Sequence, residues 1–286
     1  MFVYPYVLWM FLFIIAPLLI VVWFSITDTG PDGRTIFTFQ QYVRFFEPAY
    51  EGQPFFQRIF IAVLMRSVWI AIISTLICFV LGYPLAYALA KFCRNKPILI
   101  FLFLIPLWMN FLLRTYAWLT ILEQHGVLNA ILSFIGLPTV DILFTDTAVV
   151  LGMVYNFLPF MVLPIYTALR DMDNAIIEAA QDLGANKLQV FTRVVFPMSM
   201  PGVISGLTMV FMPAVTTFVI PNLLGGGQYI LIGNLIEQQF LRVGDWQFGS
   251  AMSAILIVLI LLMMGFVKLI DRQPKDKDNS EGGILY

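Results

Sequence analysis

The chain has 286 residues, 60% of them hydrophobic and only 12% charged, with a mean hydropathy of +0.88. A soluble domain keeps about a quarter of its residues charged, so this composition excludes a soluble protein and places the chain in a bilayer. The net charge of −1 says nothing by itself and no nucleic-acid partner is expected, while two cysteines with a single histidine give neither a disulfide framework nor metal-ligand spacing.

Six apolar runs reach bilayer length, at about Val7–Ser25, Val68–Ala90, Ile98–Ile121, Ala148–Leu169, Val203–Leu223 and Ser250–Ile270. The first lacks a basic n-region and a small-residue cleavage site and reads as a retained helix. An even number of spans puts both termini on one side. The loop from Thr27 to Ser67 starts with turn chemistry (Thr29-Gly30-Pro31-Asp32-Gly33), and Phe37–Tyr50 reads as a short external amphipathic helix ending at Glu47-Pro48. The chain thus divides into residues 1–67, the first helix and a long external loop; 68–270, a five-helix core; and 271–286, a charged tail expected to be disordered.

Orientation follows from the basic residues. With cytoplasmic termini, the inner segments hold Lys91, Arg94, Lys96, Arg170, Lys187, Arg193, Lys268, Arg272, Lys275 and Lys277. The outer ones hold Arg34, Arg44, Arg58, Arg66 and Arg242. The outer surface is then acidic, carrying Asp28, Asp32, Glu47, Glu51, Asp146 and a mouth formed by Glu123, Asp141, Glu237 and Asp245. A negative mouth concentrates a cationic solute, although the positive-inside bias alone also thins out external basic residues.

Between the fourth and fifth runs lies a polar, helix-prone interruption, residues 173–201. Asp173 or Asn174 suits an N-cap. Ile176, Ile177, Ala180 and Leu183 recur at helical spacing. Gly184 sits where a helix C-terminus favours a left-handed residue, and a second segment from Lys187 runs until Pro197 is expected to break it. Each arm is too short to span, so we expect a helical hairpin at the cytoplasmic face. On physics alone it is either an interfacial segment resting among the headgroups or a docking surface.

Glu178-Ala179-Ala180, then Gly184 four positions on, then Val194-Val195-Phe196-Pro197, resembles the EAA signature of bacterial ABC importer permeases. Val194 and Phe196 replace the usual Ile and Leu. The resemblance implies a short helix that inserts into a groove of an ATPase subunit. Its coupling residues here would be Glu178, Ala179, Ala180, Asp182, Leu183, Gly184, Ala185, Lys187, Phe191, Arg193 and Pro197. The chain carries no nucleotide-binding motif: Gly225-Gly226-Gly227 lacks the Lys-Ser/Thr continuation of a phosphate loop. ATP and Mg would therefore belong to the partner ATPase, and this chain would hold no cofactor and no catalytic or metal site.

For the solute, Pro84, Pro106, Pro159, Pro164 and Pro213 free carbonyls inside helices, which a bilayer tolerates only where protein or water covers them. They read either as packing kinks or as the lining of a path, with Thr216 and Thr217 placed to satisfy carbonyls near Pro213. Trp108, Asn110, Tyr116, Tyr155, Asn156 and Phe218 are candidate path residues, since aromatic faces attract ammonium groups; Trp118 belongs to the same set. Packing is the competing role for each. Arg114 is expected either to snorkel outward or to close a gate with Glu123.

Pro106–Leu119, Val154–Tyr166, Glu178–Ala185, Met212–Gly227, Leu231–Ile236 and Asp245–Ala251 are similar to the B-type permease subunits of spermidine/putrescine ABC importers. The similarity covers nearly the whole chain from first helix to sixth. It implies an all-α, six-helix type I importer fold, working beside a homologous C-type permease, two ATPase subunits and an external polyamine-binding protein. A permease of the same family for another small solute or cation is the nearest alternative. An ATP-independent secondary transporter would need intramembrane carboxylates, which the six runs lack. A membrane enzyme would need a clustered catalytic set.

Overall fold

The computed structural model of the chain describes residues 3–29, 34–48, 53–55, 58–91 and 96–270. The expected turn beyond Thr29, the residues Arg94 and Glu51, and the charged tail lie outside them. The described residues are overwhelmingly helical. α1 (Val3–Met10) continues through a wide π turn, Phe11–Ile15, into α2 (Ala16–Ser25). A two-stranded antiparallel ribbon follows, β1 (Thr27–Thr29) with β2 (Thr35–Phe37), which an all-α reading did not anticipate. α3 (Gln40–Phe46) is the short helix expected within Phe37–Tyr50, and it stops before Pro48. Its Phe45 is buried and stacks on Phe60, while Tyr42 donates to Ser25 Oγ at 2.9 Å.

The core helices come next. α4 (Ile59–Lys91) begins nine residues earlier than the apolar run at Val68 suggests, and at 33 residues it extends about 50 Å. α5 (Lys96–Trp108) and α6 (Phe111–Leu122) replace the expected single third helix; α7 (Val127–Phe134) follows. The axis turns by 88° between Ile98–Trp108 and Phe111–Phe134. α8 (Asp146–Arg170) packs along α4. Then come α9 (Asn174–Asp182), α10 (Lys187–Val190), a π turn at Phe191–Val195, and α11 (Phe196–Thr216). α12 (Val219–Leu224), α13 (Ile232–Gln238), a π turn at Gln239–Val243 and α14 (Trp246–Ile270) complete the described chain.

Five helical stretches are long and apolar enough to cross a membrane, six when the bent pair counts as one span. The three-helix centre is α4, α8 and α11. Its close approaches are set by small residues: a Cβ at Gly202 would lie 2.7 Å from both Ala168 Cβ and the Pro164 carbonyl, and one at Gly206 would lie 2.9 Å from Met161 Sδ.

Proline acts here through its neighbours. Pro84, Pro159 and Pro164 sit inside uninterrupted helices. Pro106 and Pro213 each precede a break by three or four residues. After Pro106, Asn110 adopts an extended backbone and its Oδ1 accepts from Leu112 N–H at 2.8 Å, capping α6. After Pro213, Thr217 is extended (ψ 139°), which ends α11; the Thr216 hydroxyl bonds the Met212 carbonyl at 3.1 Å. Pro197 does not break its helix, contrary to expectation. The π turn before it sends Phe196 N–H to the Phe191 carbonyl. Widening that turn relieves the clash a proline ring makes with the carbonyl four residues back. The same device recurs before Pro17, where Ala16 N–H bonds Phe11 O. The second arm of the hairpin is therefore continuous with the membrane helix, over Lys187–Thr216.

Candidate functional site

At the end of the bundle where α8 gives way to α11, the polar hairpin is built by three terminators in sequence. Asp173 Oδ1 accepts from Ala175 N–H at 2.9 Å and starts α9. Asn174 Oδ1 accepts from Lys91 Nζ at 2.9 Å, tying the hairpin to the end of α4. At the far end, Gly184 N–H bonds Gln181 O at 2.8 Å and Ala185 N–H bonds Ala180 O at 3.1 Å. That pair is a Schellman closure, which needs a left-handed residue at Gly184 (φ 84°). It also brings the third residue of the Glu-Ala-Ala triplet against Ala185, and both alanines pack on the core. The spacing of triplet and glycine is thus the spacing of a helix stop.

α10 starts at once. Asn186 N–H donates to Gln189 Oε1 and Gln189 N–H to Asn186 Oδ1, both at 2.9 Å. This reciprocal capping box went unnoticed in the sequence, although Asn-x-x-Gln is its signature.

The hairpin has two faces. Ile177, Ala180, Ala185 and Phe191 turn inward. Phe191 stands edge-on to Tyr83 at 5.9 Å and to Tyr87 at 5.6 Å, and Tyr83 shares a 2.9 Å hydrogen bond with Ser199. Glu178, Ala179, Asp182, Gly184, Lys187, Arg193 and Pro197 are exposed. Leu183 is 89% exposed and Leu188 71%. Of the expected apolar stripe, Ile177 and Ala180 pack on the core while Leu183 and Ile176, seven residues before it, face outward. Two bare leucines, ringed by charge, stand on an internally hydrogen-bonded turn.

At the opposite end of the bundle, Arg66 and Arg44 are both engaged. Arg66 Nη2 reaches both Asp146 oxygens at 2.7 and 2.8 Å and lies over the Tyr229 ring. Arg44 pairs with Asp245 at 2.7 Å and lies over Phe248. Asp245 also accepts from Phe248 N–H, capping α14, so this member of the expected acidic mouth is neutralised and structural. Glu123 and Asp141 are exposed, and Glu237 is half-buried; none of these three makes an ion pair among the described residues.

The candidate path residues are spread along the fold. Trp108 is 78% exposed and meets Phe101 edge-on, Tyr116 is exposed, and Asn110 serves as the α6 cap. Tyr155 packs edge-on against Trp118 at 5.2 Å. Asn156 is buried, donates to the Gly152 carbonyl at 2.9 Å, and leaves its Oδ1 without a partner. Phe218 lines a cavity of about 390 Å³ between α11, α13 and α14. Arg114 does not reach outward: it is 8% exposed, with Nε unpartnered, and it forms no salt bridge with Glu123. Glu123, nine residues on, is about two and a half turns away and so on the opposite face of α6. Gly226 (φ 60°) brings its backbone against Phe144, so the glycine run serves a close approach.

Residues 59–276 match the model of the family described as binding-protein-dependent transport system inner membrane component. The chain belongs to that family. It is a non-catalytic, multi-pass translocation subunit of the inner membrane, which operates with partners of the ATPase and binding-protein kind. The permease is 40% identical over 261 residues to the spermidine/putrescine transport system permease protein PotB of Escherichia coli K12, covering 90% of this chain and 91% of that one. It is 38% identical over 263 residues to the PotB protein of Haemophilus influenzae, covering 90% and 88%. Its fold matches a chain of the bacterial alginate ABC transporter crystallised with its pentasaccharide-bound periplasmic protein. That match has a TM-score of 0.76 at 18% identity, over 95% of this chain and 92% of the other.

Proposed function

We propose that this permease carries polyamines, spermidine or putrescine, across the inner membrane in an ATP-driven importer. The observation that carries the reading is the 40% identity to a spermidine/putrescine permease spread over 90% of the chain. In this reading the hairpin end and both termini are cytoplasmic. A homologous C-type permease completes the pore, two ATPase subunits hold ATP and Mg, and an external polyamine-binding protein delivers the solute.

The fold supports a lever mechanism. The exposed face around Leu183 and Leu188 docks in the ATPase, and the Schellman turn and capping box keep the hairpin from flexing internally. Phe191, wedged on Tyr83 and Tyr87, passes its displacement to α4, while the unbroken helix through Pro197 passes it to α11. Closure of the ATPase dimer then opens the cavity outward, and hydrolysis resets it. The test is ATP-driven uptake by the reconstituted complex, with receptor, of labelled spermidine, putrescine and a neutral solute. Polyamine-selective uptake is expected. Uptake of another solute with none of polyamine would overturn the substrate class and leave the family membership untouched.

A further inference from the structure

The junction of α11, α12 and α13 assembles groups that fit an ammonium ion. α11 ends at Thr216, so its negative dipole end and terminal carbonyls face this point. α13 is pressed against that end because Gly233 has no side chain; a Cβ there would lie 2.5 Å from the Thr216 carbonyl. Asn234 locks the junction, its Nδ2 donating to the Phe218 carbonyl at 2.8 Å and its Oδ1 accepting from Leu231 N–H at 3.1 Å.

One turn beyond Gly233, Glu237 lines the 390 Å³ cavity together with Thr216 and the aromatic rings of Phe218 and Phe240. The remaining lining is aliphatic apart from Ser253, and the volume falls in the range of small-molecule sites. Glu237 also borders a second, more polar cavity of about 380 Å³ that holds Asn222 and Arg242. It has no ion pair among the described residues, and its one recorded partner is Asn222 Nδ2 at 3.4 Å.

We propose that Glu237 is the carboxylate that takes over an ammonium group of the solute on its way through, in a subsite completed by the carbonyl end of α11 and the faces of Phe218 and Phe240. A carboxylate beside a negative helix end favours a cation, and Glu237 forms no salt bridge with Arg242 across the second cavity. Aromatic faces add attraction that grows as the ammonium loses water. Arg242 disfavours a cation in the second cavity, so the ammonium group settles in the first, beside Phe218 and Phe240. The proposal rests on the polyamine reading above and makes Glu237, rather than Glu123 or Asp141, the specificity-determining acid.

The experiment uses the assembled complex in proteoliposomes, with receptor, measuring spermidine imported per ATP hydrolysed. Wild-type uptake tests the polyamine reading by itself; without it both proposals fall. Given that uptake, Glu237→Gln is expected to lower imported spermidine by about thirtyfold or more, as when one partner of a desolvated charge pair is removed. Receptor-stimulated ATP hydrolysis stays intact, as does uptake in the Glu47→Gln control. Uptake by Glu237→Gln equal to wild type overturns the inference while the polyamine reading stands. If Glu237→Gln does not assemble, Glu237→Cys in a Cys78→Ala, Cys93→Ser background decides. A negatively charged thiosulfonate reagent restores uptake and a positively charged one does not. Equal responses to the two reagents, or none, overturn the inference.

Discussion

Gly184 offers the sharpest perturbation, because its two constraints separate. Its φ of 84° lies in the left-handed region, while a Cβ added there would meet nothing within 4 Å. Substitution therefore carries a conformational cost and no steric one. For Ala the left-handed conformation costs about 1–2 kcal/mol, Asn pays less because its short polar side chain tolerates it, and a β-branched Val pays most. A cost of about 1–2 kcal/mol shifts a two-state turn by a factor of about 5–30, loosening the closure through Gln181 O and Ala180 O. In the assembled complex, stimulation of ATP hydrolysis by polyamine-loaded receptor should rank Gly, then Asn close behind, then Ala, then Val, with all four complexes intact. If Asn is as defective as Val, the site requires empty space for its partner and the conformational reasoning is refuted. If all four behave alike, the turn has no part in coupling.

Further outcomes follow from other contacts. Phe191→Ala removes two edge-on aromatic pairs, each worth about 0.5–1.5 kcal/mol beyond burial; ATP hydrolysis should persist while solute imported per ATP falls. Gly202→Leu forces side-chain atoms into Ala168 and the Pro164 carbonyl, and overpacking of about 1–3 kcal/mol should lower the thermal unfolding temperature of the purified permease. Arg66→Gln leaves Asp146 without its bidentate partner. Because Asp146 is half-exposed, the loss should stay within about 1 kcal/mol, read by the same unfolding measurement and diminished further in high salt.

Hydropathy located the spans because the bilayer demands unbroken apolar length, and the start of α4 and the proline breaks differ through chemistry that hydropathy does not weigh. α4 starts at Ile59 although Arg58 and Arg66 flank its first turns, since Arg66 is held by Asp146 and Tyr229. The effect of each proline was unreadable alone. Pro106 breaks its helix with a capping Asn110 four residues on, whereas Pro197 is absorbed by a π turn that no propensity announces. The first arm of the hairpin was legible, because its N-cap and its glycine stop are local hydrogen-bond chemistry, whereas the Asn186–Gln189 capping box and the continuation through Pro197 were not read. Which apolar residues face out was not legible: Ile176 and Leu183 lie on the stripe their periodicity assigned, yet both are exposed. Glu237 read only as one of several external acids, since its place beside the α11 terminus depends on Gly233 and Asn234 meeting a break more than a dozen residues earlier in the chain.

The coupling role of the hairpin is tested most directly by Leu183→Asp. Leu183 is 89% exposed in the isolated chain, so the substitution leaves the permease's own fold intact. Burying that side chain in a partner groove is worth about 1.5–3 kcal/mol, and a carboxylate there reverses the sign. Receptor-stimulated ATP hydrolysis by the complete complex should be present in wild type and abolished in Leu183→Asp, with the variant still folded in the membrane. Full stimulation in the variant would contradict the account.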